Sequence, residues 1–175
     1  MVITAKLKDR VYCLSLSLFS LFGCIGVLYP AQAACTFSNT TPGQIVKSSS
    51  GLKALEASAG LLGGLDGLTG QVRLDCTNGG LLSIDQPKRV SAPASFTSTI
   101  SHALVQLDNT TMHTFASNGG GQFAHVPWAG RSTSPITVPI GIHTLTIGII
   151  VGENNSSFIP SGIYSYTTTL NVVPN

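Results

Sequence analysis

The chain has 175 residues and a formal net charge of +2, nine Lys and Arg against seven Asp and Glu. That excess sits wholly in the first 33 residues, where Lys6, Lys8 and Arg10 outweigh Asp9. The neutral remainder holds no basic cluster beyond Lys88-Arg89, which excludes nucleic-acid binding by phosphate neutralisation, and its length suits one domain around one core.

Residues 1–33 read as a secretory signal peptide. A basic n-region precedes an apolar stretch from Val11 to Tyr29, Pro30 interrupts it, and Ala31-Gln32-Ala33 supplies a small-x-small cleavage site. Removal leaves an exported body of residues 34–175. Two other readings compete with this one. The apolar stretch nears the lower limit of a membrane-spanning helix, and Leu21-Phe22-Gly23-Cys24 distantly resembles a lipobox, with Phe22 bulky for that motif. The cut also removes Cys13 and Cys24. Cys35 and Cys76 remain, and two cysteines in an exported chain most simply form one disulfide, worth ~4 kcal/mol for so long a loop on the chain-entropy model. No Cys-x-x-Cys is present and no His stands at ligand spacing from either cysteine, so no metal site is expected.

The body reads as all-β, rich in Ser and Thr and punctuated by Gly and Pro. Leu52, Leu55, Ala59 and Leu62 match helical spacing, but Gly60, Gly63 and Gly64 weaken it, so Leu52 to Leu68 is predicted to be a short helix or a loop. Gly70 to Cys76 alternates Val72, Leu74 and Cys76 with polar residues, the period of a half-buried strand. Asn78-Gly79-Gly80 supplies turn chemistry, and Leu81 to Asp85 is expected to return as the second strand of a hairpin. Phe96 to Leu107 is a third strand, ended by Asp108-Asn109. Gly119-Gly120-Gly121 marks a loop or hairpin tip. Ile136, Val138, Ile140 and Ile142 share one face, yet the apolar parity flips at Leu145, Ile147, Ile149 and Val151. Such a flip requires a bulge or bend, and Gly141 is the place for it. Glu153 to Ser157 and Pro160-Ser161-Gly162 read as turns before a long final strand from Ile163 to Val173.

Three stretches carry a family resemblance: Cys35-Thr36 just after the signal, Gly70-Gln71-Val72-Arg73-Leu74-Asp75-Cys76-Thr77-Asn78-Gly79, and the terminal run from Pro160-Ser161-Gly162-Ile163-Tyr164 to Val172. Together with Leu145-Thr146-Ile147-Gly148-Ile149 they resemble the spore coat U domain, a family that includes the subunits of archaic chaperone-usher pili. The resemblance implies an immunoglobulin-like β-sandwich that lacks its last strand. The vacant position would be filled first by a periplasmic chaperone and then, after an usher, by a neighbouring pilus subunit. It further implies that Leu170 and Val172 line the resulting groove, with Ile163 nearer its start; the alternative is that they are ordinary core residues of a complete sandwich.

The chain departs from the family in having only Ala34 between the cleavage site and Cys35. If cleavage falls after Ala33 it can accept a donor strand but not give one, so the expectation is a terminal or tip subunit, a non-polymerising secreted relative, or a self-complete domain. The family's usual Phe-Gly pair between the cysteines is absent, and Tyr166 stands where an acid is usual.

No catalytic residues and no cofactor are expected. The chain has no Gly-x-Ser-x-Gly elbow, no phosphate loop and no His-Glu-x-x-His, and His102, His113, His125 and His143 are scattered singly. Trp128, the only tryptophan, lies beside the Gly-rich stretch and is either a candidate ligand contact or a loop anchor. The function expected is that of an exported structural or adhesive subunit of a cell-surface pilus-like assembly. The alternative is a self-contained secreted sandwich that binds carbohydrate or protein.

Overall fold

The computed structural model describes residues 2–7, 35–49, 53–118, 128, 131–152 and 159–174. These residues form twelve strands and no helix: β1 (Val2–Leu7), β2 (Cys35–Thr41), β3 (Val46–Lys47), β4 (Ala54–Ala57), β5 (Gly70–Cys76), β6 (Gly80–Ile84), β7 (Lys88–Ser91), β8 (Ile100–Leu107), β9 (His113–Asn118), β10 (Ile136–Val138), β11 (Gly141–Gly152) and β12 (Ser165–Pro174). The signal cleavage site, Gly119-Gly120-Gly121 and the Glu153 to Ser157 turn lie outside the described residues.

The larger sheet is organised around β11. One edge of that strand pairs with β5 through Gly141 to Ile147 and then with β4 through Ile149 to Gly152, so β4 and β5 form one line interrupted by residues 58–69. β2 and β3 continue outward along that line, and β8 and then β9 lie on the opposite side of β11. In the smaller sheet β6 and β7 likewise form one interrupted line beside β12, with β10 outside β6. Every pairing is antiparallel except that of β1, which runs parallel to β12 on its other side.

The inner faces of the two sheets share one core, the layering of a β-sandwich. Val72, Leu74, Leu145, Ile147 and Ile149 come from the larger sheet; Leu82, Ile84, Val138, Leu170 and Val172 come from the smaller. β5 and β12 bury alternate residues, as period-two patterning requires of strands with one wet face. All of β8, and β11 from Leu145 onward, are buried on both faces. Their second cover is a smaller core on the outside of the larger sheet, made of Ala54, Leu61, Leu104, Phe115, Trp128 and Ile150.

Three sequence expectations are corrected by this architecture. β5 and β6 are not a hairpin: β5 pairs with β2 and β11, whereas β6 pairs with β10 and β12 in the other sheet. Thr77, Asn78 and Gly79 arch between sheets, with Gly79 at a positive φ of 75°. Leu52 to Leu68 contains no helix among its described residues; Ala54–Ala57 is a strand, and a closed loop follows it. Positive φ at Gly60, Leu62, Gly63 and Gly67 is incompatible with helical continuation. Phe96 precedes its strand, which begins at Ile100. The expected bend at Gly141 is present, with φ 127°, and there the chain leaves β10 of the smaller sheet for β11 of the larger.

Cys35 and Cys76 form the expected disulfide. They stand directly opposite each other at the ends of β2 and β5, with Cα atoms 4.1 Å apart.

Candidate functional site

β12 is the longest strand of the smaller sheet. One of its edges is held by the body. Leu170 to Pro174 pair with β6 and Ser165 to Thr167 with β7. The break between β6 and β7 is stitched to β12: Asp85 N–H donates to Thr169 O at 2.8 Å, Thr168 Oγ1 donates to Asp85 O at 2.6 Å, and Asn171 Nδ2 donates to the Asp85 carboxylate at 3.0 Å. The other edge is paired, among the described residues, only by β1, in register from Val2 opposite Thr167 to Leu7 opposite Val172.

The inner face of β12 presents Tyr166, Thr168, Leu170 and Val172, all buried. Phe37 and Ile45, from β2 and the segment before β3, pack against the same core. Thr167, Thr169 and Asn171 alternate with the buried set. The strand reads Ser-Tyr-Thr-Thr-Thr-Leu-Asn-Val-Val-Pro, with no charged residue and no proline before its last position. Long edges are ordinarily blunted by Lys, Pro or bulges. Here β2 carries a register shift between Ser38 and Thr41, and β10 is only three residues long, but β12 has none of these protections along the stretch β1 covers. A neutral, regular edge with an apolar inner face is suited to backbone pairing.

Leu170 and Val172 lie on the inner face of β12 and are fully buried members of the main core. Ile163 does not join them. It precedes β12 and is 85% exposed. Phe96 closes this end instead, ring edge on Tyr164 at 5.0 Å, with its carbonyl accepting from Arg89 Nη1 at 2.9 Å.

Trp128 is fully buried. Its ring lies on Gly148, where any Cβ would collide with the indole and Leu61, and its Nε1 donates to Leu61 O at 2.9 Å. It anchors the loop of residues 58–69 to the outer face of β11, which leaves the ring no surface for an external ligand. That loop is further closed by Ser58 and Ala59 N–H donating to Asp66 O, by paired bonds between Gln44 and Leu68, and by Ser49 on the Asp66 carboxylate. Glu56 beneath it accepts from the hydroxyls of Ser48 and Ser58.

No family model, curated protein or solved structure matches this chain. The site is therefore read from its own geometry.

None of the described histidines lies on β12. His102 lies on the outer face of the larger sheet, stacked on Phe115 at 5.4 Å, and burial lowers its pKa from 6.5. His143 bridges the Asp108 carboxylate at 2.7 Å and Pro139 O at 3.0 Å, tying the β8–β9 turn to the start of β11. Among the described residues no three His, Cys, Asp or Glu side chains are grouped to hold a metal ion, and no helix is long and apolar enough to cross a membrane.

Two parts of the site escape the sequence reading. Tyr166 and Thr168 share the inner face with Leu170 and Val172, which the period of two from those residues would have shown. β1 was hidden by its place at the head of a basic leader pattern, although Ile3, Ala5 and Leu7 share one parity of Val2-Ile3-Thr4-Ala5-Lys6-Leu7.

Proposed function

We propose that residues 34–175 form an immunoglobulin-like sandwich lacking one strand. In this reading it serves as an exported structural or adhesive subunit of a pilus-like surface assembly, accepting a strand along β12. The single observation that carries the reading is the pairing of β12. Among the described residues its outer edge is paired only by residues 2–7, which the sequence assigns to the leader, so in the processed chain the described residues leave that edge open. The sheet order supports it: β2/β3, β4/β5, β11 and β8 follow the order of one immunoglobulin-type sheet, β6/β7 and β12 follow the other, and the place beside β12 is that of the final strand. The partners that fit are those of the resembled family, namely a periplasmic chaperone, an usher and neighbouring subunits, each offering an extended strand. Trp128 has no part in adhesion, and neither catalysis nor a cofactor is proposed.

The competing reading is a self-contained secreted sandwich, and the second core under residues 58–69 is the observation in its favour. Thermal unfolding of the chain starting at Ala34 separates the two. A strand acceptor should aggregate or melt low alone, and should gain stability in proportion to the logarithm of added strand peptide. A soluble monomer with a sharp transition that peptide leaves unmoved would establish the self-contained domain.

A further inference from the structure

We infer that His102 is an acid latch on the second core: a proton taken up by its imidazole releases residues 58–69 and Trp128 from the outer face of the larger sheet and leaves the sandwich beneath them folded. The latch lies on the opposite sheet from β12 and does not depend on the strand-acceptor reading.

His102 is 5% exposed, and neither of its ring nitrogens has a hydrogen-bond partner among the described residues. A buried imidazole so placed is tolerated while neutral, whereas a proton leaves an unpaired charge in an apolar setting. His102 stands opposite Ile150 of β11 and Ser117 of β9, with its ring stacked on Phe115. Among the described residues no carboxylate pairs with it. On β4, Glu56 stands on the far side of Ile150, two strand spacings or roughly 10 Å away, and its carboxylate is held by the Ser48 and Ser58 hydroxyls. β11 contributes only His143, at its far end on Asp108, and β9 only His113, bonded to Thr111 O. In the cover, Asp66 is held by Ser49, and Arg131 is exposed. Ile150 and Phe115, which flank His102, belong to the same second core as Leu61 and Trp128. β8 and β11 are held by backbone ladders on both edges, but the cover is a loop closed by its own bonds and one indole. Lifting that cover is therefore the least costly way to hydrate an imidazolium at position 102.

The test follows the indole of Trp128, the only tryptophan, in the exported chain as purified with any strand partner it carries. Its Nε1–H donates to Leu61 O, so its hydrogen exchange reports opening of the cover. Burial lowers the His102 pKa in the closed state below 6.5, so between 6.5 and that lower value the open state binds the extra proton. Over this window the opening constant should rise by up to about tenfold per pH unit, once exchange is corrected for its intrinsic pH dependence. The backbone amides of Leu145 to Ile149 should keep their protection, and Trp128 emission should move to longer wavelength. His102→Phe should abolish the rise. A rise that survives His102→Phe would overturn the latch. So would a corrected indole exchange that stays flat below pH 6.5 in the parent chain, a result that requires no variant to fold. Loss of protection at Leu145 to Ile149 together with the indole would also overturn it, because acid would then be unfolding the sandwich as a whole.

Discussion

Trp128 and Gly148 illustrate how one residue can decide the fate of a surface. The indole fits only because position 148 has no Cβ, and the same contact holds residues 58–69 over β11. Trp128→Ala is expected to cost about 3–5 kcal/mol in urea unfolding, from lost burial and the cavity left behind. Gly148→Ala should cost about 1–3 kcal/mol by overpacking. A midpoint unchanged in either variant would contradict the anchoring role. His102 makes a different residue-scale prediction. Desolvation lowers its folded pKa below the unfolded value of 6.5. As pH falls through 6.5 the unfolded chain takes up a proton that the folded chain resists, so this stability is complete above 6.5 and is lost below it, down to the folded pKa. His102→Phe, which keeps an aromatic ring against Phe115, should flatten that acid limb of the stability profile. An unchanged slope would assign the pH dependence elsewhere.

At the scale of elements, the disulfide and the strand order determine what the sequence could reveal. Cys35–Cys76 closes β2 onto β5, and Cys35→Ser with Cys76→Ser should lower stability by about 2–5 kcal/mol in chemical unfolding, with reducing agent having the same effect on the parent chain. β5 and β12 were legible because each buries one face and alternates accordingly. β11 was legible as a strand but not in its surroundings, since its continuous burial from Leu145 onward reflects two covers, one of them a loop brought from residues 58–69 by contacts distant in sequence. The hairpin expectation failed because Asn78-Gly79-Gly80 specifies a reversal of the chain and carries no information about which sheet the next strand joins. β4 was missed for a related reason: Leu55 and Ala59 have helical spacing, but pairing with Ile149 to Gly152 of β11 outweighs that weak preference. Leu170 and Val172 were legible as inner-face residues, while Ile163 has the opposite parity to them and precedes the strand.

For the whole molecule, the distribution of charge and of edges leads to the same conclusion. The body is neutral and β12 carries no charge, so strand addition there should be insensitive to ionic strength, unlike a contact steered by complementary fields. Peptide affinity that fell steeply with salt would point to a different surface. Two packed cores and a disulfide support the sandwich, and on the strand-acceptor reading its instability lies at the outer edge of β12. Amide hydrogen exchange along Thr167 to Val172 in the chain that starts at Ala34 measures that edge directly. Alone, the amides directed away from β6 and β7 should exchange rapidly, and the Val-Ile-Thr-Ala-Lys-Leu peptide should protect them while leaving the β6-facing amides unchanged. Slow exchange of both sets before any peptide is added would contradict the open edge.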